Sequence, residues 1–322
     1  MKSIAAALLL GAASALAAQD IRPAVVYDFG GKYDHSFNES ASEGAQRFQR
    51  ETGIAYREFE ISNQAQREQI MRQLAHHGAT IIAAIGFNQA SAVQTVAVEF
   101  PRVKFVIIDG TVDLPNVESI TFREQESSYL VGMAAALFSK TGKIGFIGGM
   151  DIPLIRKFEL GYHAGAEAAN PHIQIFDNMT GTTPAAWNDP SRGAELAQAQ
   201  FGRGADVIFH AAGATGVGVL QAARDAGLYG IGCDSNQDYM QPGHVLTSAV
   251  KHVDEAVYRA FMQDKNSDWK AGHLSLGLKE NGVGYTLDQY NRSLLVPAIV
   301  AQLEKAKAAI IAGRIHVPEY HE

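Results

Sequence analysis

What most restricts this chain is an alternation that persists along nearly its whole length. Runs dominated by β-branched and apolar residues, "PAVVYD", "IAYREFE", "TIIAAIG" and "VKFVIID", are each followed by a stretch whose apolar residues recur at helical spacing. A second series, "KIGFIGG", "IQIFDN", "ADVIFHAAG" and "YGIGCD", repeats the same grammar. Strands that are almost continuously apolar and separated by helices must be covered on both faces, as parallel strands of a doubly wound sheet are. Two such series predict two α/β lobes. The length of 322 residues, 47% of them hydrophobic, suits two domains rather than one.

Local signals punctuate the series. The helix after the first strand is predicted to open on a capping box, Ser36-Phe37-Asn38-Glu39, and to stop at Gly53. Another opens at Asp189-Pro190, a capping residue followed by proline at the first helical position. Beyond the second series the order breaks: "HVLTSAV" reads as a strand, "VDEAVYRAFMQD" as a helix and "HLSLGLKENGVGYTL" as a strand and turn. An alanine-rich helix is expected from about Asn291 to Gly313. This tail is too short for a third lobe, so it is expected to return through both, with crossings near Phe122, Ala249 and Leu276. The predicted division is residues 18–122 with 250–276 for one lobe, and 123–249 with 277–322 for the other.

The opening "MKSIAAALLLGAASALAAQD" joins Lys2 to an apolar run and then to Ala15-Leu16-Ala17, so residues 1–17 read as a cleavable signal peptide. No later run approaches the roughly 20 apolar residues of a membrane span. The net charge of −7, without a basic run, argues against a nucleic-acid partner. Cys233 is the only cysteine, so no internal disulfide forms and none follows the signal for lipid attachment. The expectation is an exported periplasmic protein, neither membrane-embedded nor lipid-anchored.

In doubly wound sheets ligands lie beyond the carboxyl ends of the strands. Asp28 ends the first strand, and Phe37 and Asn38 occupy the first turn of the next helix, so all three are expected to line a crevice. Each also has a plainer reading. Phe37 could staple its own helix start, Asn38 could face solvent, and Asp28 could bind only the amides of its turn. The glycine-rich "AAGATGVG", with Gly213, either offers backbone amides to a ligand or makes a tight turn. Trp187 either edges the pocket or packs.

Other classes fit poorly. Gly213, Gly216 and Gly218 give G-x-x-G-x-G rather than the dinucleotide fingerprint, against an NAD(P)-dependent oxidoreductase. No G-x-S-x-G or H-E-x-x-H is present, His76 and His77 point to different sides of a helix, and His316 and His321 lie in a polar tail. Cys233 sits within a strand with no base in view and reads as core filler. The sequence therefore implies no cofactor, no metal and no catalytic group. A sugar-responsive transcription factor would need a DNA-binding helix pair where the signal peptide stands.

Taken together, "VVYDFGGKYDHSFNESASEG", "IIAAIGFNQA", "VKFVIIDG", "ESSYLVGMAAALFSKTGKIGFIGGM", "GADVIFHAAGATGVGVLQAA" and "IGCDSNQDYM…HVLTSAVKH" resemble the basic membrane protein family, the nucleoside-binding receptors of ATP-driven importers. The resemblance covers essentially the whole mature chain. It implies a type I periplasmic binding-protein fold, with two doubly wound α/β lobes joined by three hinge crossovers and closing on a ligand. On matching motif positions it implies that Asp28 binds the edge of a base while Phe37 and Phe209 stack on its two faces. Asp234 and Lys251 would hold sugar hydroxyls, and Asn38, Asn88 and Asp109 would complete the polar ring. It further implies a nucleoside ligand, purine above all, with permease and ATPase partners in separate chains. Free purine bases, flavins and other heterocycles stay open as alternatives. His210 departs from the small residue expected after "VIF", and strand alternation turns it away from Phe209.

Overall fold

The computed structural model describes residues 21–320; the segment read as a signal peptide and His321 lie outside them. The first series becomes β1 (Pro23–Tyr27), α1 (Phe37–Thr52), β2 (Arg57–Glu60), α2 (Gln66–His76), β3 (Ile81–Ile85), α3 (Ala90–Glu99), β4 (Lys104–Ile108) and β5 (Val117–Phe122). The second becomes α4 (Glu124–Phe138), β6 (Lys143–Met150), α5 (Pro153–Ala169), β7 (Gln174–Gly181), α6 (Pro190–Gly202), β8 (Val207–Ala211), α7 (Thr215–Asp225), β9 (Tyr229–Asp234) and β10 (Val245–Lys251). The tail supplies α8 (Val253–Asn266), β11 (Gly272–Leu276), β12 (Val283–Tyr285) and α9 (Pro297–Ile311).

Two sheets result, ordered β2-β1-β3-β4-β5-β11 and β7-β6-β8-β9-β10-β12. Strand for strand they share one winding, so β1 corresponds to β6, β3 to β8 and β4 to β9. β11 joins its sheet parallel to β5, whereas β12 pairs antiparallel with β10. This is the architecture of a type I periplasmic binding protein. The apolar strands are buried on both faces because side chains alternate across the sheet: Val25 and Tyr27 enter one core cluster, Ala24 and Val26 the other.

The chain passes between the sheets after Phe122, after Lys251 and after Leu276. The second crossing differs from the sequence expectation, since Val250 and Lys251 still pair with β12 in the second sheet. The last helix also starts later than expected, at Pro297. Asn291 is instead buried in a turn, where its side-chain amide donates to Leu246 O and Thr286 O. Helices α4 and α5 approach closely through glycines, and a Cβ at Gly165 would stand 1.9 Å from Tyr129 O. Among the described residues no helix is long and apolar enough to cross a membrane.

A cleft between the lobes

Where the carboxyl ends of the two sheets face each other lies a cleft of about 590 Å³. Asp28, Phe37, Asn38, Asp109, Gly213, Asp234 and Lys251 all line it, together with Phe29, Asp34, Phe87, Leu154, Ile155, Phe158 and Trp187. Asn88 reaches it indirectly, by donating to Asp28 Oδ2 at 3.0 Å.

The start of α1 is built differently from the expected capping box. Asp34, not Ser36, caps the helix: its carboxylate accepts from the amides of Ser36 (2.9 Å), Asn38 (2.9 Å) and Glu39 (3.1 Å). Burial pushes the Asp34 carboxyl up to about 6, against the pull of those three amides. Glu39 returns a bond to the amide of His35 at 3.0 Å. This leaves Ser36 Oγ free to cross the cleft, where it donates to Asp234 Oδ2 (2.8 Å) and Cys233 O (3.1 Å). Ser235 Oγ donates back to Ser36 O at 2.8 Å. Phe37 is half-buried on the first lobe's core and also lines the cleft, so stapling and cleft-facing are not exclusive.

Asn38 is turned inward rather than toward solvent. Its Oδ1 accepts from the Asp28 amide at 3.0 Å, which locks the strand end onto the helix start. The Asp28 carboxylate accepts from Arg67 on α2 (3.3 Å) and from Asn88, so more than its own turn holds it. It packs into the space a side chain at Gly86 would need, where a Cβ would come within 2.4 Å of Asp28 Oδ2. Burial raises the Asp28 carboxyl, while Asn88, the Phe29 amide and Arg67 oppose the rise.

Lys251 stands at the hinge end of the cleft, 3% exposed. Its ammonium donates to Asp109 Oδ2 at 2.5 Å and lies 3.1 Å from Glu124 Oε1. The rings of Phe37, Phe122 and Phe158 surround it at 4.9, 5.2 and 5.8 Å to their centroids. Burial alone would depress the amine, but the carboxylates of Asp109, Glu124 and Asp234 outweigh it and hold the ammonium charged. Asp109 Oδ1 is buried with no hydrogen-bond partner.

Phe209 is not where the sequence reading put it. It is fully buried inside the second lobe, with Phe146, Phe158 and Tyr162 around it, and does not line the cleft. The reason is its strand: β8 lies between β6 and β9, covered on both faces, so a mid-strand ring has no route to the crevice. The second lobe presents Phe158 and Trp187 instead. Phe158 lies in the early part of α5, and Phe209 sits 6.3 Å from it, ring to ring, as support. The repeat points to α5, the counterpart of α1, but not to Phe158 itself, which lies one turn further into its helix than Phe37 does.

The glycines of "GATGVG" divide by role. Gly213, at φ +55°, lines the cleft. Gly216 makes room for the His210 ring, and Gly218 for Pro190 O of α6. His210 is fully buried, and its Nε2 meets Gln237 Oε1 at 2.9 Å. Gln237 also accepts from the Cys233 amide and donates to His35 O of the first lobe. Cys233 is itself buried in β9, and burial drives its thiol well up, as befits core filler. Away from the cleft, Glu159, His163 and Asp177 gather their polar atoms, but His163 is paired with Asp177 and Glu159 with Arg156.

Comparison with known proteins adds what geometry alone does not. The family described as ABC transporter substrate-binding protein, PnrA-like, matches residues 21–321. A protein of Lactococcus lactis subsp. cremoris named "ABC transporter nucleoside-binding protein BmpA" is 34% identical, over 93% of this chain and 89% of its own. An uncharacterized lipoprotein of Pyrococcus horikoshii is also 34% identical, over 83% of this chain and 69% of its own. The crystal structure of an ABC transporter solute-binding protein from Aeropyrum pernix K1 superimposes with a TM-score of 0.83 at 29% identity, covering 94% of each chain.

Proposed function

The chain belongs to the PnrA-like family of ABC transporter substrate-binding proteins, and from that premise we propose that it captures a purine nucleoside between its lobes and delivers it to a permease driven by a separate ATPase. The observation that carries this reading is the composition of the cleft walls. Phe37 of one lobe and Phe158 of the other line the same cleft, with Trp187 beside them and carboxylates and one ammonium at their edges. A purine offers two flat faces and a hydrogen-bonding edge, and a ribose offers hydroxyls. Each aromatic stacking contact is worth about 1–3 kcal/mol, whereas nanomolar capture needs about 12 kcal/mol. The polar groups must therefore supply much of the affinity.

In this reading Asp28 meets the base edge, and Asp234, Lys251 and the unpaired Oδ1 of Asp109 serve the sugar hydroxyls. Gly213 contributes backbone, while Asn38 and Asn88 act by fixing Asp28. Ligand contacts to both lobes favour the closed arrangement, which is how binding would be signalled to a permease. The reading makes the protein a receptor that performs no reaction. It also places the protein in the periplasm, exported by residues 1–17; anchoring through Cys233 would require opening β9, where that thiol is 1% exposed.

A thermal-shift panel of nucleosides, free bases, flavins and sugars tests the reading. Stabilisation by purine nucleosides is expected, at about 2.7 kcal/mol when ligand stands at a hundred times its Kd. Response to sugars alone, or to flavins alone, would replace it.

A further inference from the structure

Resting on the nucleoside reading, the geometry behind Asp28 points to a residue that sets which base is preferred. Arg67 is buried, 7% exposed, and contributes no atom to the cleft lining. Its Nη2 donates to Asp28 Oδ1 at 3.3 Å, and its guanidinium carbon lies 5.1 Å from the Phe29 ring centroid. Its Nε is buried without a hydrogen-bond partner, and Asp28 is the carboxylate it is paired with among the described residues. On the other oxygen, Asn88 donates at 3.0 Å. The missing side chain of Gly86 makes room for the same carboxylate, since a Cβ there would come within 2.4 Å of Asp28 Oδ2.

A carboxylate that accepts from a guanidinium and an amide has its ionised form favoured by both donors, against the burial that raises it, and an ionised carboxylate can only accept. We propose that Arg67 is a positioning residue that keeps Asp28 an acceptor, and so biases the cleft toward heterocycles whose edge ring nitrogen carries a proton, that is, 6-oxopurine nucleosides over 6-aminopurine nucleosides. Guanosine offers its ring N1–H and its 2-amino group on one edge. Adenosine offers a bare ring nitrogen beside its amino group, and that lone pair would face the carboxylate. A buried polar site rejects a ligand that leaves its groups mismatched far more strongly than one that merely fits loosely. Without Arg67, the burial that already raises the Asp28 carboxyl would be opposed only by Asn88 and the Phe29 amide. That shifts the balance toward the protonated carboxyl, the form that can donate to adenosine.

Calorimetric titration of the full chain with guanosine and with adenosine decides the matter, using wild type, Arg67→Met and Arg67→Lys. Wild type is expected to bind guanosine about tenfold or more tighter than adenosine. Arg67→Met should erase that ratio by weakening guanosine selectively, and Arg67→Lys, which keeps a cation beside Asp28 Oδ1, should restore part of it. Equal loss for both nucleosides in Arg67→Met, with no rescue by lysine, would mean Arg67 only supports the fold and would overturn the inference. So would a wild type that binds adenosine as tightly as guanosine, although the receptor reading would then stand. Should Arg67→Met fail to fold, the wild-type ratio and its reduction in Asn88→Leu, which removes the other donor, carry the test. Binding of neither nucleoside would overturn the receptor reading and this inference together.

Discussion

Asp109, just past β4, and Asp234, at the end of β9, occupy corresponding positions of the two sheets, and both hold left-handed backbone angles, φ 63° and 64°. Aspartate tolerates that region better than most residues, at a cost of order 1–3 kcal/mol. The strained turn aims each carboxylate past the strand end, into the shared cleft. Between them stands Lys251, which touches Asp109 directly and feels both charges.

Lys251 is thus both a wall of the cleft and the neutraliser of two buried acids. Replacing Lys251 by Met should destabilise the protein by about 3–5 kcal/mol, because Asp109 would be left buried without its cation and Glu124 with only Lys157, 3.9 Å away. Urea unfolding measures this. A loss under about 1 kcal/mol would mean that the carboxylates simply take up protons.

The two phenylalanines of the second lobe should separate by assay. Phe209→Ala should cost about 3–5 kcal/mol of stability through the cavity it leaves, with affinity per folded molecule nearly unchanged. Phe158→Ala should weaken nucleoside binding by about 1–3 kcal/mol. Denaturation and calorimetry on both variants check the split, and the reverse pattern would return Phe209 to the binding site.

His210 carries a pH signature. Its free imidazole would titrate near 6.5, and burial depresses it in the fold to about 4, despite the bond to Gln237. Between those values the unfolded chain binds the extra proton, so the contribution to stability is complete above about pH 6.5 and is lost as pH falls toward 4. The loss should reach about 3 kcal/mol at most. His210→Gln, compared with wild type by unfolding at a series of pH values, should flatten this slope. An unchanged slope would assign it to other groups.

Ser36 links the lobes through its hydroxyl, from the start of α1 to the end of β9. Ser36→Ala removes its bonds to Asp234 and Cys233 across the cleft and should weaken ligand binding by about 0.5–1.5 kcal/mol, since those bonds favour the arrangement in which both lobes reach the ligand. Helix α1 should persist, because Asp34 provides the cap. Circular dichroism showing loss of helix would contradict that assignment.

The path from sequence to structure was short where signals were local. Apolar strand runs, Gly53 ending α1 at φ 73° and Asp189 capping α6 at 3.0 Å all follow from neighbouring residues. The cap of α1 was misread because Ser36 and Asp34 both suit the role, and the choice was settled by Asp234, far away in sequence, competing for the serine hydroxyl. Arg67 and Glu124 carry no motif at all; they matter only because folding sets them against Asp28 and Lys251.

By itself the sequence determined two parallel-stranded lobes, the strand ends that face a crevice, and the family. These depend on periodicity and on which residues terminate a strand, which are properties of adjacent positions. Only the tertiary structure decided which ring of the second lobe reaches that crevice, because a doubly covered strand buries Phe209 whatever its type, while the start of α5 brings Phe158 to the opening. The charge state of the cleft was decided there as well, since it depends on which acids and bases are buried within a few ångströms of one another.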